Sequence, residues 1–132
     1  MKHRIYTVIR YLFGAAMTFF GISNLFQLLP PHQFPGEAGR LMLAFTDSGY
    51  ILQAVGLTQL LLGIALLLNR FIPLALLLFA PVALNVLLFH LFLDVSGILM
   101  AMPVIGITVF LFVYHKAHFF SLLKVNNHEK VY

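Results

Sequence analysis

Four stretches free of charged side chains, residues 11–29, 49–68, 71–93 and 95–114, alternate with short polar breaks along a chain of 132 residues. A hydrocarbon layer of ~30 Å is crossed by about 20 apolar residues at a rise of 1.5 Å each. The stretches hold 19 to 23 residues. The pattern therefore predicts an all-α membrane protein, an up-down four-helix transmembrane bundle with spans at about 6–29, 49–68, 71–93 and 97–120. These spans make one domain, residues 1–124, and residues 125–132 are expected to form a cytoplasmic tail.

The breaks predict how the spans are joined. Pro30, Pro31 and Pro35 end span 1, because proline cannot donate to the helix ladder. Between residues 36 and 45, Leu41, Leu43, Ala44 and Phe45 alternate with Glu37 and Arg40, which suits a short external interfacial helix. Asp47 or Ser48 is the expected cap of span 2. The links at Asn69-Arg70 and Asp94 are so short that spans 2, 3 and 4 must be antiparallel neighbours.

Within the spans, small and polar residues recur at steps of three and four. Gly14, Thr18 and Gly21 mark span 1; Gly49, Gln53, Gly56, Leu60 and Gly63 mark span 2; Gly97, Ala101, Val104, Thr108 and His115 mark span 4. Helices in lipid associate by close packing and interhelical hydrogen bonds, so these stripes are expected to face protein. Pro81, inside span 3, is expected to bend that helix and to favour a cavity beside it.

Composition and charge narrow the class further. Hydrophobic residues are 61% and charged residues 9%, against about 45–50% and about 25% in soluble domains. Lys2, Arg4, Arg10, Arg70, Lys116, Lys124 and Lys130 fall on one side of the bundle, whereas Arg40, Glu37, Asp47 and Asp94 fall on the other. The positive-inside rule then puts both termini in the cytoplasm of a cell with an inner membrane. The net charge of +4 is placed at helix ends, where it meets lipid headgroups; no basic stripe for nucleic acid exists. The absence of cysteine excludes disulfide relays and thiolate metal sites.

Polar side chains inside a membrane bundle are candidates for function, since each costs a few kcal/mol unless matched. Asn24, Gln27, Gln53, Asn85, His90 and Asp94 all map to the external half, with Gln59 deeper. The candidate ligand-binding residues are accordingly His90, Asn85, Asn24, Gln53 and Asp94. His90 and Asp94 are four apart and share a face, so the carboxylate can fix the imidazole tautomer. Asn85 sits about 140° around the helix from His90. His115 and His118 lie at the opposite end, about 30 Å away, so a paired haem ligand is not expected, and no recognised zinc spacing occurs. No acidic residue lies mid-span, which disfavours an exporter driven by a buried acid.

The segments RYLFGAAMTFFGISNLFQLL and GLTQLLLGIALLLNRFIPLALLLFAPVALNVLLFHLFLD resemble the DoxX-like membrane proteins. The likeness spans most of residues 10–115 and is densest at Asn69-Arg70-Phe71, Pro73-Leu74-Ala75, Ala80-Pro81, Asn85 and Phe89-His90. The family is named from a small subunit of a thiosulfate:quinone oxidoreductase, and relatives are linked to respiratory or oxidative-stress systems. The resemblance implies an accessory or anchoring component of a membrane redox or quinone-linked system rather than a stand-alone enzyme. Expected partners are membrane lipids, a membrane or external redox enzyme, and further copies of the chain. The alternatives are a structural or partner-binding membrane protein and a small-solute transporter.

Overall fold

The computed structural model describes residues 1–124; the tail expected at 125–132 lies outside the described residues. The described residues form helices joined by non-helical links, the longest between α1 and α2: α1 (Lys2–Phe26), α2 (Gly36–Asp47), α3 (Ile51–Leu68), α4 (Ile72–Phe92), a 3-10 turn (Val95–Gly97), α5 (Ile98–Tyr114) and α6 (Lys116–Leu123). Lys2–Phe26, Ile51–Leu68, Ile72–Phe92 and Val95–Tyr114 are long and apolar enough to cross a membrane. They form the four-helix bundle, and α2 is the short helix between its first two members.

Glycine sets the tightest contact, where α1 and α3 run antiparallel. A Cβ on Gly21 would lie 2.5 Å from the Leu60 nitrogen, and one on Gly56 would lie 2.8 Å from the Gly21 carbonyl oxygen. Gly63 faces Thr18 and Gly14 in the same way. Backbones approach this closely only where no side chain intervenes, and dispersion between them replaces the hydrophobic effect that lipid removes. The two expected stripes thus meet each other. Gly49 is the exception: at φ 78° with open space around it, it serves the turn into α3. Ser48 Oγ accepts the Ile51 N–H at 3.2 Å beside that turn.

The remaining core is built of large apolar side chains. Phe13 and Met17 of α1, Leu62 and Leu66 of α3, Leu76 and Phe79 of α4 and Leu111 of α5 pack together. On α5, Ala101 and Thr108 are buried as their stripe implies; Thr108 satisfies its hydroxyl on the Val104 carbonyl at 2.7 Å, within its own helix.

Helix ends differ from the sequence expectation in two places. α1 begins near the N-terminus and stops at Gln27, whose left-handed φ of 51° lets Leu28 N–H reach the Ser23 carbonyl before the prolines are met. The span expected at 97–120 breaks at His115, so α6 is a separate helix whose Phe119 packs on Phe112 at 4.9 Å. α4 runs unbroken through Pro81, which is exposed.

Arg10, expected as a flanking cation, lies inside α1 and is only 6% exposed. Its Nη1 donates to the carbonyls of Leu66 and, at 3.4 Å, Leu67. Those carbonyls belong to the last turn of α3, where the helix dipole is negative, and the Leu66 carbonyl also accepts the Asn69 N–H at 3.3 Å. The guanidinium also covers the Tyr11 ring at 4.2 Å.

Candidate functional site

The most developed polar arrangement sits where α4 hands over to α5. Leu93 and Asp94 N–H groups both return to the Phe89 carbonyl, closing α4 and turning the chain sharply into the 3-10 segment. That turn brings Asp94 back over the last turn of α4. His90 Nδ1 lies 3.1 Å from Asp94 Oδ2 and 3.3 Å from the Asp94 carbonyl. The Ser96 hydroxyl donates to the other carboxylate oxygen at 3.0 Å. With side chains only 14% and 11% exposed, both groups are largely removed from solvent. A carboxylate so placed needs its oxygens satisfied, and the ring N–H and hydroxyl do this.

Gly97 is required by the pair. A Cβ there would collide with the Asp94 carboxylate and lie 3.0 Å from His90 Nδ1.

A groove of about 580 Å³ opens beside this pair. One wall is Val86 and His90 of α4, the other Met100, Ala101 and Val104 of α5. Its rim comes from the stretch after α1, where Phe34 stands edge-on to Phe89 at 5.0 Å and His32 stacks edge-on to Phe34 at 4.6 Å. The volume falls within the range of about 300–1,000 Å³ usual for small-molecule sites, as does the mixture of apolar walls and a few convergent polar groups. Asp94 occupies Nδ1, so Nε2 is the ring nitrogen left for a molecule in the groove.

The five candidate residues do not come together as one cluster. His90 and Asp94 form the pair and line the groove. Asn24 is committed elsewhere: its Nδ2 donates to Gln59 Oε1 at 2.8 Å, tying α1 to α3. Gln53 is half-buried on α3, with an Oε1 that has no partner among the described residues, and it does not line the groove. Asn85 is exposed on the outer surface of α4, as its angular offset from His90 implies. No three His, Asp or Glu side chains among the described residues are grouped to hold a metal ion.

Sequence reading missed Ser96, Gly97 and the Phe34 rim. The Asp-x-Ser-Gly run at residues 94–97 carried the signal, since Asp, Ser and Gly together are turn formers that bond their own backbone and side chains. The rim carried none, because the contact between Phe34 and Phe89 joins residues far apart in sequence.

At the other end of the bundle, a second polar group couples α1 to α5. The Tyr6 hydroxyl lies 3.0 Å from His115 Nε2, and the Tyr6 and Tyr114 rings stack at 3.8 Å. Burial lowers the His115 pKa below the ordinary histidine value, and nearby His118 lowers it further. Burial thus favours the neutral ring, which shares a hydrogen bond with the Tyr6 hydroxyl.

No protein-family model, curated protein or solved structure matches the chain.

Proposed function

We propose that this is a multi-pass protein of the cytoplasmic membrane, DoxX-like in type, which binds a lipid-soluble ligand of the quinone class beside His90 and serves a membrane redox system as an accessory or anchoring component. The observation that carries this reading is the His90–Asp94 pair on the wall of an apolar groove. A quinone is a two-electron, two-proton carrier whose ring oxygens need polar partners while its ring and tail need apolar walls. The groove offers both.

In this reading Asp94 fixes the ring so that Nδ1 carries a proton and Nε2 faces the ligand. Neutral His90 accepts a ligand hydroxyl through Nε2; once protonated, it donates Nε2–H to a ligand carbonyl, and the carboxylate balances its charge. Ser96 keeps the carboxylate oriented in both cases. Among the described residues, six of the seven Lys and Arg side chains, all but Arg40, lie toward one end of the bundle, which supports a cytoplasmic location for both termini and an external location for the groove.

The test is a titration of protein in lipid nanodiscs with a short-tailed quinone analogue, combined with extraction of co-purified lipids. Bound quinone and a saturable rise in Tm are expected, since ligand at 100 times its Kd stabilises by about 2.7 kcal/mol. Absence of both would overturn the reading. The bond between Asn24 and Gln59 favours a second reading, in which the polar residues of α1 and α3 only hold helices together.

A further inference from the structure

α4 presents an outer stripe formed by Leu74, Leu78, Pro81, Asn85, Leu88 and Phe92, all exposed. Their spacing of four and three alternately is that of a helix-pairing seam. Apolar spacing alone would suit lipid equally well, because lipid tails are as apolar as leucine. Asn85 is what differs. It lies seven residues before Phe92, about 10 Å along the axis from the helix end, and so within the hydrocarbon. No side-chain hydrogen bond among the described residues involves it, whereas the amides of Asn24 and Gln59 bond each other. An amide facing hydrocarbon loses the partners that water would supply.

We infer that this stripe is the interface with a second copy of the chain, paired about a two-fold axis along the membrane normal. Two copies inserted in the same orientation pair their α4 helices parallel, which places each residue at the depth of its own equivalent. Asn85 then meets Asn85 of the second copy. An amide has both donor and acceptor, so the two side chains satisfy each other, and a single polar residue in an apolar seam also fixes register. His90 points about 140° away from Asn85 around α4, so pairing leaves the groove open; the inference does not depend on what the groove binds.

The chain has no native cysteine, which allows a direct test by single-cysteine disulfide formation in vesicles of neutral phospholipid containing only this protein. Leu88→Cys is expected to give disulfide dimers, whereas Leu57→Cys on α3 and Val109→Cys on α5, also exposed, are expected to stay monomeric. In a donor–acceptor fluorescence assay in the same vesicles, Asn85→Leu is expected to weaken pairing about 3- to 20-fold, and Asn85→Gln to retain more of it. The Tm of the monomer should be unchanged by Asn85→Leu. Monomers at every protein-to-lipid ratio would overturn the inference, as would equal cross-linking at Leu57 and Leu88 or pairing by Asn85→Leu as tight as wild type.

Discussion

Replacing Gly21 by alanine adds one methyl group at the closest approach of α1 and α3. That Cβ would lie 2.5 Å from the Leu60 nitrogen, 2.8 Å from its Cα and 2.9 Å from the Gly56 oxygen, all backbone atoms that cannot rotate away. Ordinary contact begins at 3.4 Å, so the helices must separate by about 0.9 Å. Such overpacking costs roughly 1–3 kcal/mol. The same movement stretches the 2.8 Å bond from Asn24 to Gln59 beyond hydrogen-bonding distance, which costs a further ~0.6–1.7 kcal/mol in a membrane. Alanine returns about 0.5–1 kcal/mol through its better helix propensity. The net expectation is a loss of roughly 1–4 kcal/mol. Gly106 supplies the control, because a Cβ there meets nothing within 4 Å; Gly106→Ala should leave stability unchanged or raised by up to ~1 kcal/mol. Reversible unfolding in mixed detergent micelles measures both. Coincident curves for the two variants would refute the claim that glycine contact holds α1 to α3.

Other expectations follow from single contacts. Arg10→Met removes the guanidinium from the Leu66 and Leu67 carbonyls, leaving Leu66 only the Asn69 N–H, and should cost about 1–3 kcal/mol in the same unfolding assay; Arg10→Lys should recover only part, lacking the planar fork. Gly97→Ala should displace the Asp94 carboxylate and weaken quinone-analogue binding without unfolding the bundle, as read by titration beside a circular dichroism melt. For His115, the folded pKa lies below the unfolded one, so the unfolded chain takes up the proton first as pH falls. Its stabilising effect is complete above about pH 6.5 and declines below that, until the folded ring itself titrates. Tm measured from pH 8 to pH 5 should therefore fall, and His115→Gln should flatten the curve relative to wild type.

The fold was legible because a membrane restricts the solutions. Uncharged runs of the right length must be helices, since only helices satisfy every backbone group within one segment, and the glycine steps on α1 and α3 named the faces that meet. Helix ends were less legible. Gln27 terminates α1 through a backbone conformation that glutamine does not advertise, and the break at His115 falls between two apolar runs without proline or glycine. Arg10 looked like a headgroup cation because composition shows charge but not the carbonyls of a distant helix end that accept its guanidinium. At the site, the i, i+4 relation between His90 and Asp94 was a local fact and could be read directly. Depth alone suggested that Asn24, Gln53 and Asn85 would join them. Depth does not specify direction, however, and the three side chains point toward α3, into the protein interior and outward respectively.

Photoaffinity labelling tests the central claim most directly. A quinone bearing a photoreactive ring substituent would be irradiated with the protein in nanodiscs, and the labelled peptides identified by mass spectrometry. Label is expected on residues 86–104 and 32–35, reduced by excess unlabelled quinone and diminished at least tenfold in His90→Ala. Label spread over the outer surfaces of the helices, or undiminished by competitor and by His90→Ala, would contradict the assignment of the groove beside His90 as the binding site.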